Sequence, residues 1–197
     1  MMLPARSTIV LPPAPPASTR RGTPRPPLAL ESTQLADLFR RYAPYVATIG
    51  LRLLGRDDEL DDLVQDVFIE AHRRLHQLRS PDAAKGWLAR ITVRRAIRWL
   101  RRRKLRAFFS LNALPDHTTL IDAAATPEEK SHIASTYRLL EKLPVQQRIA
   151  WVLRHIEGET LDSIAGLCGC SKKTVQRRLR AAQLALEGME AHVRTGE

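Results

Sequence analysis

The sequence predicts an all-α protein: two small helical domains joined by a flexible linker, the C-terminal one a helix-turn-helix. Three observations predict it. From Thr33 onward, apolar residues recur at three- and four-residue steps, the spacing that lines one face of a helix. No stretch alternates apolar and polar residues for long enough to make a strand. Glycine, proline and capping residues fall at the joints between the periodic segments, where helices stop and start.

The first segment carries Leu35, Leu38, Phe39, Tyr42, Val46, Ile49 and Leu53 on one face. Pro44 lies inside it, lacks an N–H, and is expected to kink or split the helix. Gly55 ends it, and Asp57 or Asp58 can cap the next helix, whose stripe is Leu60, Leu63, Val64, Val67, Phe68, Ala71 and Leu75. A turn around Arg79-Ser80-Pro81-Asp82 leads to a third helix from about Ala83 to Arg106, with Trp87, Leu88, Ile91 and Leu100 inward. Periodicity is lost over residues 107–125, the expected linker. Thr126-Pro127-Glu128-Glu129 is a capping box with proline at the first helical position, opening a helix that ends near Leu143. Pro144 opens another through Ile156, Gly158 closes it, and two more helices follow. The two domains are expected over residues 31–106 and 126–190.

A chain of 197 residues has room for one ordinary domain or two small ones. Residues 1–30 hold eight of the 13 prolines, four arginines and no acid. Such a segment buries too little apolar surface to offset its ordering entropy, so a disordered basic tail is expected. Lys and Arg number 32 against 21 Asp and Glu, a formal charge of +11 that favours a polyanionic partner, either nucleic acid or an acidic membrane surface. The excess is concentrated. Residues 79–106 carry eleven Lys and Arg against one Asp, directly behind an acidic stretch over residues 31–78 that carries nine acids against six bases.

No apolar run approaches the roughly 20 residues that span a bilayer. Pro12, Pro13, Pro15 and Pro16 break the only candidate signal-peptide core, so a cytoplasmic protein without membrane insertion is expected. Cys168 and Cys170 are too few for a disulfide framework. The six histidines (His72, His76, His117, His132, His155 and His192) are scattered, which argues against an RNA-processing enzyme. No catalytic residue, metal or cofactor is expected.

The clearest motif lies between Leu161 and Leu186. Residues 161–168 read as a short helix, Gly169 as a tight turn, and Ser171 as the cap of a helix beginning at Lys172. Ala165 is small where two helices cross, and Gly169 permits a left-handed turn. Ile164, Cys168, Cys170, Val175 and Leu179 take the inward positions, which makes the cysteines packing residues rather than half a metal site. Lys172, Lys173, Thr174, Gln176, Arg177 and Arg180 face outward, where the start of such a helix meets base edges and its flanking cations meet phosphates.

Two further features are ambiguous taken singly. Asp61, Asp62 and Asp66 sit near the positive end of the second helix, which suits any helix dipole. The run Arg94, Arg95, Arg98, Arg101, Arg102, Arg103, Lys104 and Arg106 suits any solvated face. Trp87 and Trp99 within that segment could stack on bases, although Trp87 at helical spacing from Ile91 reads as core.

Their order resolves the ambiguity. Asp62-Leu63-Val64-Gln65-Asp66-Val67-Phe68 resembles the Asp-Leu-Val-Gln-acid-x-Phe signature of bacterial sigma factors of the extracytoplasmic-function (ECF) group. Gly86-Trp87-Leu88-Ala89-Arg90-Ile91 with the following arginines resembles the next family segment. Leu143-Pro144-Val145-Gln146-Gln147-Arg148, and Ile164-Ala165 through Thr174-Val175-Gln176-Arg177-Arg178-Leu179, resemble its C-terminal domain. The match covers about residues 33–187.

The resemblance implies a sigma factor whose partners are core RNA polymerase and promoter DNA, and it leaves open an anti-sigma factor. It implies polymerase contacts at Asp62, Gln65, Asp66 and Glu70. It implies −10 capture and melting by the loop from about His76 to Lys85 and the basic helix, through Lys85, Arg90, Arg94, Arg95, Arg98, Arg101 and Arg102. It implies −35 reading by Ser171, Lys172, Lys173, Thr174, Gln176, Arg177, Arg178 and Arg180. The chain departs from the family at Arg94, where Asn is usual, at Arg98, where Asp is frequent, and at Arg177, where a small or hydroxyl residue is usual. A free-standing helix-turn-helix regulator is the alternative, and it has no need of the acidic or the basic helix.

Overall fold

In a computed structural model of the chain, the described residues are 32–78, 80–109 and 126–195. The expected tail over residues 1–30 and residues 110–125 of the expected linker lie outside them. The described residues form helices α1 (Ser32–Leu54), α2 (Leu60–Arg73), α3 (Ala84–Phe109), α4 (Pro127–Lys142), α5 (Val145–His155), α6 (Leu161–Cys168) and α7 (Lys172–Thr195), with no strand among them. The all-α expectation holds.

Four local expectations need correction. α1 is one helix of 23 residues with Pro44 inside it, so of the two outcomes expected, a kink or a split, the split does not occur. Pro44 is exposed, while Tyr42 and Val46 on either side pack into the core. Burial on both sides outweighs a proline penalty of about 3 kcal/mol. Ahead of α2 the cap position is Glu59, without a side-chain cap, and Asp58 pairs with Arg56 instead. α3 continues past Arg106 to Phe109, into the stretch expected as linker. Phe39, expected on the buried face of α1, is 47% exposed and meets the Phe68 ring edge-on at 4.8 Å.

α1, α2 and α3 pack against one another, and α5, α6 and α7 do the same, with α4 laid against α5 and α7. The two groups also meet. α3 packs on α5 and α6 as well as on α1 and α2, and α1 touches α5. The burial pattern along α3 requires this. Ile91, Thr92 and Val93 are successive and all buried, yet neighbours on a helix point about 100° apart. Three consecutive buried residues therefore need cover on more than one side. Thr92 meets its polar obligation within the helix, its hydroxyl donating to the Leu88 carbonyl at 2.8 Å.

The result is one apolar cluster containing Val46, Leu63 and Leu88 from the first group and Leu140, Ile149, Ile164 and Val175 from the second. A smaller cluster of Leu75, Leu78 and Ala84, joined by Leu38, Tyr42 and Trp87, seals the turn between α2 and α3.

Leu88 is fully buried in the shared cluster. Leu88→Ala is expected to lower stability by about 2–5 kcal/mol. Urea unfolding followed by circular dichroism should show a single transition at a lower midpoint. Two separate transitions, with only one displaced, would contradict a shared core.

Candidate nucleic-acid and protein interfaces

The helix-turn-helix is built as its residues require. Thr160 caps α6, its hydroxyl accepting from the Ser163 N–H at 3.2 Å. Gly169 follows at φ 64°, the left-handed conformation that favours glycine. Ser171 Oγ then accepts from the Thr174 N–H at 3.2 Å and caps α7. Ile164 and Val175 are buried, and Cys168, Cys170 and Leu179 are half-buried beside them. Leu167, which the sequence reading passed over, is buried as well. Burial, with Cys170 adjacent, pushes the Cys168 thiol up to about 11, the behaviour of a packed rather than a reactive cysteine.

On the outer side of α7, Lys173, Gln176, Arg177 and Arg180 are exposed. Ser171 is exposed at the cap, and Thr174 is half-buried with its hydroxyl 2.9 Å from the Ser171 hydroxyl. Lys172 is exposed and pairs with Asp162 at 2.9 Å, across the turn. Arg178 is placed differently. Its guanidinium donates to Gln146 and to the Cys170 sulfur, which ties α7 to α5.

α3 divides its arginines the same way. Arg90, Arg94, Arg98, Arg101 and Arg102 are exposed at three- and four-residue steps, which sets them on one face. Arg90, Arg94 and Arg98 line a pocket of about 160 Å³ together with Trp87, Ile91 and Gln77, and Glu70 with its partners Arg74 and Arg95 closes its α2 side. Lys85 stands at the start of α3 with its ammonium 4.9 Å from the centre of the Tyr45 ring. Arg95, by contrast, is drawn to α2, pairing with Glu70 at 2.6 Å and lying 3.6 Å from Asp66. Trp99 also faces α2, its indole N–H donating to Asp66 Oδ2 at 3.0 Å.

α2 therefore has two polar faces. Asp66 and Glu70 are turned toward α3; burial works to raise the Glu70 carboxyl, but the Arg95 hydrogen bond and the Arg74 and Arg98 charges carry it below its ordinary value. Gln65 is exposed on the other face, and Asp62, one turn before Asp66, is exposed in the first turn of the helix. Gln65 lines a groove there with Phe39, Val64, Phe68 and Ile69, and Asp61 stands on its wall. Ile69 is 41% exposed. Periodicity could not reveal this groove, because an apolar residue in a helical stripe reads as core wherever it falls. The surplus of apolar residues at the start of α1 was the only signal.

Two family models match the chain, Sigma-70 region 2 over residues 38–106 and Sigma-70, region 4 over residues 133–186. Together they cover more than half of it, in the order that the acidic helix, basic helix and helix-turn-helix occupy. The chain belongs to the sigma-70 family. Its relatives place it in the ECF group. It is 28% identical over 162 residues to the ECF RNA polymerase sigma factor SigM of Mycobacterium tuberculosis, covering 81% of this chain and 78% of that one. It is 29% identical over 162 residues to the ECF RNA polymerase sigma-E factor of Escherichia coli, covering 76% and 83%.

The fold of this sigma factor is similar to that of the sigma factor RpoE in complex with the anti-sigma factor NepR from Bartonella quintana. The TM-score is 0.59 at 19% identity, over 81% of this chain and 98% of that one. It is also similar to CnrH in complex with the cytosolic domain of CnrY, with a TM-score of 0.51 at 27% identity, over 81% and 88%. No helix among the described residues is long and apolar enough to cross a membrane.

The two arginines side by side in α3 should behave oppositely. Arg95→Ala removes the pairing of Glu70 with α3 and leaves that half-buried carboxylate to Arg74 of its own helix, and it is expected to cost roughly 1–3 kcal/mol of stability. Arg94→Ala, at an exposed position, should stay within about 0.5 kcal/mol of the parent. Urea midpoints of the two variants check this, and equal losses would contradict the division of the face.

Proposed function

We propose that the sigma factor docks on core RNA polymerase through the exposed surface of α2, with Gln65 lining the Phe39–Ile69 groove and Asp62 exposed in the helix's first turn. An apolar centre with a polar rim is the ordinary anatomy of a protein interface, and it suits a partner that offers cations and apolar side chains together. Asp66 and Glu70 act at one remove, fixing α2 against α3 through Arg95 and Trp99. The working units we propose are residues 31–106 for polymerase docking and −10 capture, and residues 126–190 for −35 reading.

Promoter melting needs a place for an unstacked base and cations that follow a single strand. The observation that carries this reading is the pocket that sets Trp87 among Arg90, Arg94 and Arg98. Stacking on an aromatic ring contributes about 1–3 kcal/mol per base, and the arginines on either side supply the backbone contacts. Arg101, Arg102 and Lys85 extend the track, while Arg95 holds the helix in place rather than touching DNA. Arg94 and Arg98, both cationic where the family favours neutral or acidic residues, strengthen strand capture more than base choice.

The start of α7 enters the major groove at the −35 element, with Lys173, Gln176 and Arg177 toward base edges and Lys172 and Arg180 toward phosphates. Arg178 supports this surface from behind. The protein performs no covalent chemistry of its own, and it acts in the cytoplasm, where polymerase and chromosome meet. An anti-sigma factor is a further partner by likeness to the two solved relatives, each complexed with another chain. A free-standing regulator is disfavoured because it leaves the α2 face and the Trp87 pocket without a use.

Placing positive charge on the exposed surface of α2 tests the docking surface. The double variant Asp62→Lys, Gln65→Lys is expected to lose core-polymerase binding and run-off transcription while keeping the parent's melting curve. Retained binding to core polymerase would overturn the assignment.

A further inference from the structure

Cys168 and Cys170 are the chain's two cysteines, and they stand one residue apart in the turn of the helix-turn-helix. α6 ends there in a turn that folds back on the helix. The Gly169 and Cys170 N–H groups both donate to the Ala165 carbonyl, the second at 3.0 Å. Gly169 has φ 64° and ψ 43°, the mirror image of helical dihedrals. Reflection preserves distances, so the Cα atoms of Cys168 and Cys170 stand about 5.4 Å apart, like residues two apart on any α-helix. That lies within the range of about 4.4–6.8 Å that a disulfide spans. Both side chains also turn inward, since each packs against the same apolar cluster.

Packing explains why the two residues are small and apolar, but the surroundings of their sulfurs differ. Arg178 of α7 donates to Cys170 Sγ at 3.3 Å, and its other terminal nitrogen donates to Gln146 of α5. A second cation is close, since a Cβ added at Gly169 would lie 3.5 Å from Arg94 Nη2. Cys170 is half-buried beside the exposed Gly169, so a small solute can reach its sulfur from the turn. Electropositive and partly exposed surroundings of this kind are where cysteines react. Cys168 has a different part. Burial, with Cys170 adjacent, raises its thiol to about 11, so it stays protonated at neutral pH and is no first attacker.

We propose that Cys170 and Cys168 form a reversible redox site, at which a hydroperoxide converts the dithiol to a disulfide and weakens −35 reading. The Cys170 sulfur attacks one peroxide oxygen, the O–O bond breaks, and Cys170 becomes a sulfenic acid as water leaves. The Cys168 sulfur then displaces the hydroxyl from Cys170, and the Cys168 proton departs with it as a second water. The two sulfurs together lose two electrons, and the two oxygens of the broken O–O bond take them up. Exchange with a small thiol reverses the change. The effect on reading follows from position. Cys170 directly precedes Ser171, the cap of α7, and it holds one of the two hydrogen bonds by which Arg178 ties α7 to its support. A sulfur drawn toward Cys168 leaves Arg178, and the start of α7 shifts where bases are read.

The effect on transcription rests on the reading of α7 as the −35 helix; the redox site itself does not. The full chain, reduced and then exposed to a small excess of hydrogen peroxide at neutral pH, tests the site. The proteolytic peptide that carries both cysteines should lose the mass of two hydrogens in a monomeric protein, and dithiothreitol should restore it. Cys168→Ala should stop at a sulfenic acid that dimedone traps, and the peptide of Cys170→Ala should keep its mass. Oxidised protein freed of peroxide and assembled with core polymerase should give about tenfold less run-off transcript, the loss of one hydrogen bond from a charged donor. The double variant Cys168→Ala, Cys170→Ala should give as much transcript after peroxide as before it. A parent peptide of unchanged mass, or linked only between molecules, would overturn the redox site. A disulfide that leaves transcription unchanged would overturn its control of reading, and Gln176→Ala in the same assay shows separately whether α7 reads the −35 element at all.

Discussion

Burial of α3 on more than one side is the constraint on which the rest of the structure depends. A helix carrying eleven cations over its length and approach would ordinarily lie at the surface with one apolar stripe beneath it. Here its middle turns are enclosed by α1 and α2 on one hand and α5 and α6 on the other, and the cations are forced into the remaining arc and the C-terminal half. That confinement concentrates Arg90, Arg94 and Arg98 around Trp87. It also presses Arg95 and Arg103 into ion pairs with Glu70 and Glu141, where each is worth more to the fold than to a ligand.

The same logic separates two kinds of charge throughout the molecule. Glu70, Asp66, Arg95 and Arg178 have partners close enough to hold them, so the acidic and basic runs of the sequence are only partly a binding surface. Asp62, Gln65, Arg94, Arg98, Gln176 and Arg177 are exposed. Among exposed groups a partner's charge meets little competition from internal pairing. A sequence run therefore overstates an interface, and the structure trims it residue by residue.

Much of the fold was legible because helices announce themselves locally. Stripe periodicity, Gly55 after α1, Pro127 at the start of α4 and Ser171 at the cap of α7 all depend on residues within a few positions of one another. The helix-turn-helix was the most legible piece for the same reason, since every packing demand falls within about 20 residues. What failed to show was decided at long range. Continuity of α1 through Pro44 depends on what Tyr42 and Val46 pack against, and the exposure of Phe39 depends on how far the neighbouring helices reach. The contacts of Tyr137 and Arg148 with the end of α1 join residues 85 and 94 positions apart, and no local pattern encodes them. Resemblance supplied the roles of the helices but not the direction in which individual side chains point.

We propose that the DNA-reading surfaces on α3 and α7 work together only when core polymerase holds them at promoter spacing. Affinity for duplex promoter DNA, measured with and without core polymerase, tests that claim most directly. The account predicts weak binding with little preference for sequence by the protein alone, and tight, −10- and −35-dependent binding once core polymerase is added. Tight, sequence-specific binding by the isolated protein, unchanged by polymerase, would contradict it.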